Sequence, residues 1–246
     1  MVNPISPSDR TPNPLVGPER LRLFGFILSG LILWNGVADL IYGYSPQLDG
    51  PAYFSPAVWE VVRTAGGRPD WMVMLAQTAG WLYPVYAGFL LPWWIGMRRA
   101  GFWLGQAPCL LLAYAVVMIG GIQHAGWAFL SVPARAAAVT GSGDPSFYAE
   151  AQRLIVEHFM VGDLTAGIAL SVGVVWHAAA ILSGRTLFPR WFVVFAPLGV
   201  LGCTVAIGLA LPAPLAGLVL APFGTWLLLV PLIAGTAWLL TRSDRT

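Results

Sequence analysis

The segment at residues 22–44 reads RLFGFILSGLILWNGVADLIYGY and carries one acidic residue, Asp39, in an otherwise apolar run. Its length meets the roughly 20 apolar residues that a helix needs to cross a hydrocarbon core of about 30 Å. An acidic side chain inside such a helix costs about 3 kcal/mol on insertion scales, so it is normally paired, hydrated or functional. Residues 159–182 repeat this pattern with Asp163. The two aspartates are therefore the first functional candidates.

The whole chain has the composition of an integral membrane protein. Hydrophobic residues make up 57% of its 246 residues and charged residues 10%, against about 25% charged residues in a soluble domain. We predict an all-α integral membrane protein, a bundle of six transmembrane helices at residues 22–44, 72–95, 102–124, 159–182, 191–211 and 215–240. Residues 1–21 and 241–246 are predicted to be tails. Because prolines are tolerated in membrane helices, we expect kinks rather than breaks at Pro84, Pro108, Pro197, Pro222 and Pro231.

Arginine placement predicts the orientation of the bundle. All thirteen basic residues are arginine, and nine of them lie in the predicted inner segments if the N-terminus is inside. The positive-inside rule then places both termini in the cytoplasm of a multi-pass protein, which we expect in the cell membrane. Two outer connections are long, residues 45–71 and 125–158, and each is predicted to carry a short amphipathic helix.

Polar side chains gather in the outer third of four predicted spans. At a rise of 1.5 Å per residue, Asp39 lies about 7 Å and Gln77 about 9 Å below the outer boundary. Asn35 follows Asp39 on the same helix face by i, i+4 spacing. Such groups are expected to face the bundle interior, where they would line a pocket. The predicted catalytic residues are Asp39, Asp163, His124, His158 and Glu157. The predicted substrate-binding residues are Trp34, Asn35, Gln77, Trp81, Tyr83 and Tyr86.

Each candidate also has a structural interpretation. The two aspartates can cap helix ends or bind interfacial water, and Asn35 and Gln77 can join helices by hydrogen bonds. The histidines and Glu157 can belong to solvated or interfacial helix ends. His177, near the inner end of its span, is expected to be structural.

Absent motifs narrow the chemistry. The sequence contains no HExxH motif and no cysteine-rich set, so we predict no metal and no cofactor, although the histidine and acidic candidates have suitable donor atoms. It contains no lysine for a retinal Schiff base, no glycine-rich nucleotide loop and no basic patch for nucleic acid. The expected partners are the lipid bilayer and a lipophilic small molecule, and the sequence leaves the oligomeric state open.

Three functions fit these observations. The first is a membrane-embedded enzyme that uses buried carboxylates for acid/base chemistry, cyclisation or isomerisation, on a lipophilic isoprenoid- or sterol-like substrate, as membrane terpene cyclases do. Aromatic side chains beside the acids would stabilise a cationic intermediate. The alternatives are a proton-coupled carrier of a small solute and a non-catalytic membrane subunit or scaffold.

Overall fold

The structure is a computed structural model that describes residues 17–44, 46, 49–54, 69–124 and 145–243. These residues form helices and turns, with no strand among them. The α-helices of this part are α1 (Pro18–Gly43), α2 (Asp70–Trp81), α3 (Tyr83–Tyr86), α4 (Leu91–Met97), α5 (Ala107–Val116), α6 (Pro145–Leu182), α7 (Pro197–Ala210), α8 (Leu215–Leu220) and α9 (Phe223–Ser243). Two π-helical segments, Phe102–Gln106 and Val117–His124, flank α5, and 3-10 helices lie at Pro51–Phe54, Ala87–Leu90, Arg98–Ala100 and Arg190–Phe195.

Four apolar helical stretches among the described residues are long enough to cross a membrane: Pro18–Ile41, Phe102–Gly120, Leu164–Leu182 and Phe223–Thr241. They coincide with the first, third, fourth and last predicted spans. The described part of the chain is therefore all-helical, and four of its helices have the length and composition of membrane spans. The count of six spans, the cytoplasmic termini and the cell membrane as location stay predictions.

The predicted span 72–95 is not one continuous helix. α2 ends at Trp81, and Pro84 and Pro92 occupy the first turns of α3 and α4, with a 3-10 turn between them. Proline donates no hydrogen bond to the carbonyl four residues earlier, and its ring crowds that carbonyl. The interrupted segment is still buried, since Tyr86 and Trp93 are fully inaccessible.

The last two predicted spans are also divided at prolines. α7 begins at Pro197 and has 14 residues, or about 21 Å, which is shorter than a hydrocarbon core of about 30 Å. α8 and α9 are separated at Ala221 and Pro222. The expectation of a kink rather than a break is therefore wrong for Pro197, which follows the extended residue Ala196. Leu82 near Pro84 and Ala221 before Pro222 keep helical backbone angles, as at a kink. Pro231 does lie inside continuous helix α9, and Pro108 lies in the first turn of α5.

The outer connections are described in part. α6 runs without a break for 38 residues, about 57 Å, so the helix predicted in the second connection continues directly into the span. The amphipathic helix predicted in the first connection contains Tyr53, Phe54, Val58, Trp59 and Val62. Its first two residues lie in the 3-10 helix Pro51–Phe54, and residues 55–68 lie outside the described residues. At the two chain ends, α1 begins at Pro18 rather than residue 22, and α9 continues to Ser243 rather than ending at residue 240.

The packing places α1 antiparallel to α9. Gly25 faces Thr236 and Gly36 faces Thr225, and a Cβ atom at either glycine would lie 3.1 Å from the threonine methyl group. Glycine therefore permits the close approach of the two helices at both levels. α5 packs along α6, and the interrupted segment from α2 to α4 lies between these helix pairs. Apolar clusters around Tyr86, in the middle of this segment, and around Trp93, near its end, fill the interior.

Candidate functional site

Asp39 lies at the interface between α1 and the beginning of α9. Its side chain is 6% exposed, and Oδ2 accepts hydrogen bonds from Asn35 Nδ2 at 2.9 Å and Thr225 Oγ1 at 3.2 Å. Asn35 Nδ2 also donates to Thr225 Oγ1 at 3.0 Å. The i, i+4 spacing accounts for the first contact, and the contact with Gly36 brings Thr225 into reach. These three residues, Asn35, Asp39 and Thr225, form the Asp39 cluster.

The Asp39 carboxylate lies beside the first turn of α9. A Cβ atom at Gly224 would be 3.8 Å from Oδ2, and the first backbone hydrogen bond of this turn runs from Trp226 N to Pro222 O. The first N–H groups of a helix have no intrahelical acceptor, and the helix dipole makes this end positive. The positive end of α9 therefore faces the Asp39 side chain.

Two buried tyrosines adjoin the Asp39 cluster. The Tyr83 hydroxyl shares a hydrogen bond with Asn35, and both Tyr83 and Tyr86 lie within electrostatic range of Asp39. Their rings meet edge to face, with centroids 5.1 Å apart and planes at 70°. The Tyr83 ring rests directly on Gly120 of the π-helical segment, where a β-carbon has no room. A carboxylate thus shares its surroundings with two phenol groups.

Two oxygen atoms at this site have unused hydrogen-bonding capacity. Asn35 Oδ1 and Tyr86 Oη are buried and have no hydrogen-bond partner among the described residues. A buried polar group without a partner costs about 1–3 kcal/mol. The amide nitrogen of Asn35 donates to the Asp39 carboxyl group, so Oδ1 is directed away from that group. The site can therefore accept and donate further hydrogen bonds.

Three other predicted substrate-binding residues are less buried than this cluster. Trp34 Nε1 donates to Thr78 Oγ1 at 3.0 Å, so this half-buried ring joins α1 to α2. Gln77 is half-buried on α2. Trp81 is 69% exposed, so its indole faces the outside of the bundle rather than the Asp39 cluster. The i, i+4 relation between Gln77 and Trp81 gives them neighbouring positions but not burial.

The remaining predicted catalytic residues are described by their backbone alone. His124 ends the second π-helical segment, and Glu157, His158 and Asp163 lie along α6. Their side chains fall outside the described part, so the predicted meeting of Asp39 and Asp163 stays a prediction. The helices that carry the two aspartates have different packing partners. α1 packs mainly on α9 and α2, whereas α6 packs mainly on α5 and the second π-helical segment.

His177 is the other buried polar group that the sequence marks. Its side chain is fully inaccessible, and neither ring nitrogen has a hydrogen-bond partner among the described residues. The imidazole packs against Trp93, with ring centroids 5.0 Å apart. Trp93 in turn donates from Nε1 to Pro231 O at 2.9 Å. The expectation that His177 is structural agrees with this packing but leaves its unpaired nitrogens unexplained.

Sequence reasoning did not identify Thr225 or Gly120. Each contacts a predicted site residue, but Thr225 is 186 positions from Asp39, and no local spacing indicates this pairing. Among the described residues, no group of three or more histidine, cysteine, aspartate or glutamate side chains is arranged to hold a metal ion. No protein-family model, curated protein or solved structure matches this chain. The site must therefore be interpreted from its own chemistry.

Proposed function

We propose that the protein is a membrane-embedded enzyme that uses Asp39 as a proton donor and acceptor on a lipophilic small molecule. The observation that supports this best is the buried carboxylate with two tyrosines beside it and two unpartnered oxygen atoms. Such a group is costly inside a membrane helix and is a functional candidate by default. A bound molecule can form hydrogen bonds with the unpaired oxygen atoms of Asn35 and Tyr86.

Isomerisation or cyclisation of an isoprenoid- or sterol-like substrate fits these side chains. The Asp39 carboxyl group would transfer its proton to a carbon–carbon double bond and leave a carbocation. The electron-rich faces of Tyr83 and Tyr86 would stabilise that cation. Loss of a proton from a neighbouring carbon, back to the carboxylate, completes an isomerisation without any other reactant.

A non-catalytic role has one specific observation in its favour. The Asp39 carboxylate lies at the positive end of α9 and accepts the Thr225 hydroxyl, which is how a structural residue would join α1 to α9. In that case the cluster would contribute stability alone, and the protein would be a membrane subunit or scaffold.

Solvent deuterium distinguishes these two functions without knowledge of the substrate. Membranes that contain the protein are incubated in D₂O with an apolar lipid extract of the expression host, and the lipids are compared by mass spectrometry with those from membranes lacking it. An enzyme of this kind adds at least one deuterium to a particular apolar species. We expect Asp39→Asn to abolish that incorporation.

The matched control is Asp49→Asn. Asp49 is an exposed carboxylate that accepts a hydrogen bond from the Ala52 backbone N–H at 3.2 Å, well outside the cluster. We expect this variant to retain incorporation. If no species gains deuterium, or if Asp39→Asn retains the full gain, the proposal is wrong. A lower melting temperature for Asp39→Asn without any lipid change would support the structural role.

A further inference from the structure

An apolar groove runs along the surface at the end of the bundle opposite the Asp39 cluster. Its volume is about 570 Å³, and it lies between α9 and the 3-10 helix Arg190–Phe195. The lining residues are Phe192, Phe195, Val230, Ile233, Ala234, Ala237, Trp238 and Thr241. Three aromatic rings, two aliphatic side chains and two alanines make this lining apolar. An apolar ligand suits such a lining.

The length of the groove matches one leaflet of a bilayer. The lining residues of α9 extend from Val230 to Thr241, which at 1.5 Å per residue is about 16 Å. Half of a hydrocarbon core of about 30 Å is about 15 Å. Because α9 is itself one of the four helices long enough to span the membrane, an occupant of this groove lies within a single leaflet.

The walls of the groove are held in place by contacts outside it. Trp238 Nε1 donates to Leu187 O at 3.1 Å, and the Trp191 ring meets Trp238 at a centroid distance of 5.8 Å. Phe188 stacks on Phe192 at 5.0 Å with planes 8° apart. The groove is therefore formed without a ligand, which lowers the entropy cost of binding one.

The end of the groove near Thr241 is strongly basic. The antiparallel pairing that joins Gly25 to Thr236, continued toward the beginning of α1, brings Arg20 to the level of Thr241. The described arginines at this end are Arg20, Arg22, Arg98, Arg99, Arg185 and Arg190, and the described acid there is Glu19. Such an excess of positive charge attracts the anionic headgroups of a membrane leaflet.

Arg190 is placed to bind such a headgroup. It is exposed, it begins the 3-10 helix that forms the groove wall, and it lies between Leu187 and Trp191, which both contact Trp238. Its guanidinium group rests against Gly184, where a Cβ atom would be 3.2 Å from Nε. Gly184 has a φ of +71°, a conformation that favours glycine, so a larger residue there would be strained and would displace Arg190.

We infer that the groove binds one acyl chain of an anionic phospholipid, with the phosphate of its headgroup bound by Arg190. The apolar lining takes the chain, and the guanidinium fork matches phosphate oxygens in a bidentate geometry. This site is separate from the Asp39 cluster and does not depend on its chemistry.

Native mass spectrometry of the delipidated protein tests this inference. The protein in detergent is mixed with phosphatidylglycerol or with phosphatidylcholine of identical acyl chains. We expect one phosphatidylglycerol to be retained and at least fivefold less phosphatidylcholine. Ala234→Trp, which puts an indole in place of a small lining side chain, is expected to abolish retention. Arg190→Gln is expected to reduce the preference for the anionic lipid to about twofold or less.

The matched controls make the same substitutions away from the groove. Ala206→Trp places an indole on an exposed position of α7, and Arg99→Gln removes an exposed arginine at the same end of the bundle. Ala206→Trp is expected to retain the lipid as the unsubstituted protein does. Arg99→Gln, which belongs to the same basic end but does not adjoin the groove wall, is expected to lower the preference for the anionic lipid less than Arg190→Gln does. If Ala234→Trp does not fold, Ala237→Leu narrows the groove more gently and should reduce retention at least threefold. Equal retention of both lipids, or undiminished retention in the groove variants, would overturn the inference.

Discussion

Replacement of His177 by leucine is expected to make the protein more stable. His177 is fully inaccessible and packs against Trp93 in an apolar, aromatic part of the core. Both ring nitrogens lack a hydrogen-bond partner among the described residues. A neutral imidazole carries one N–H donor and one acceptor, and both lose their hydrogen bonds to water when the side chain is buried here. Leucine has neither group and keeps an apolar side chain of similar size.

The size of the effect follows from the unpaired polar atoms. One buried polar group without a partner costs about 1–3 kcal/mol, and its removal recovers that amount. For a chain of this length, 1 kcal/mol shifts the melting temperature by roughly 2–4 °C. We therefore expect His177→Leu to raise the melting temperature by several degrees. His177→Gln, which keeps a polar group in the same place, is expected to give no increase.

Thermal unfolding of the purified protein in a mild detergent measures this difference, and unfolding in increasing dodecyl sulfate gives a second estimate of the free energy. All three proteins should be compared at one pH and one detergent concentration. A loss of stability of 1 kcal/mol or more in His177→Leu would refute the reasoning. It would mean that the imidazole contributes a favourable interaction with its surroundings.

Two further predictions concern close contacts and the Asp39 cluster. A β-carbon at Gly96 would overlap the Phe188 ring, so Gly96→Ala is expected to destabilise the protein by about 1–3 kcal/mol. Gly30→Ala is the control, because nothing lies within 4 Å of its added carbon. Thr225→Val removes the hydroxyl that contacts both Asn35 and Asp39 at nearly constant volume, so we expect a loss of about 1–3 kcal/mol in chemical unfolding. An unchanged midpoint for Gly96→Ala or Thr225→Val would show that the contact concerned contributes nothing.

Hydropathy was enough to predict a helical membrane protein, because the hydrocarbon core requires a run of about 20 apolar residues in each spanning helix. It could not predict how prolines act. Pro231 stays inside continuous α9, whereas the helices are divided next to Pro84 and Pro197. The same residue type gives either result, because the neighbouring helices and turns decide whether the freed carbonyl finds another partner.

In the candidate site, contacts between residues close in sequence were predictable, and contacts between residues distant in sequence were not. The i, i+4 spacing of Asn35 and Asp39 indicates a shared helix face, and a hydrogen bond of 2.9 Å joins the two side chains. Thr225 comes from the other end of the chain, and its position depends on the order in which the helices pack. Trp81 shows that helical spacing does not establish burial. It lies four residues after Gln77, yet its ring faces outward.

The unpartnered oxygen of Asn35 helps to separate the two roles proposed for Asp39. A purely structural link between α1 and α9 gains nothing from a buried acceptor that costs stability. A proton-transfer site does gain from it, because Asp39 must exist in two protonation states. When the carboxyl group carries a proton, rotation of the Asn35 amide lets Oδ1 accept that hydrogen, and the Thr225 hydroxyl can turn away. The cluster can thus satisfy the carboxylate and the carboxylic acid in turn. This exchange predicts an infrared carboxyl band that shifts in Asn35→Leu and is lost in Asp39→Asn.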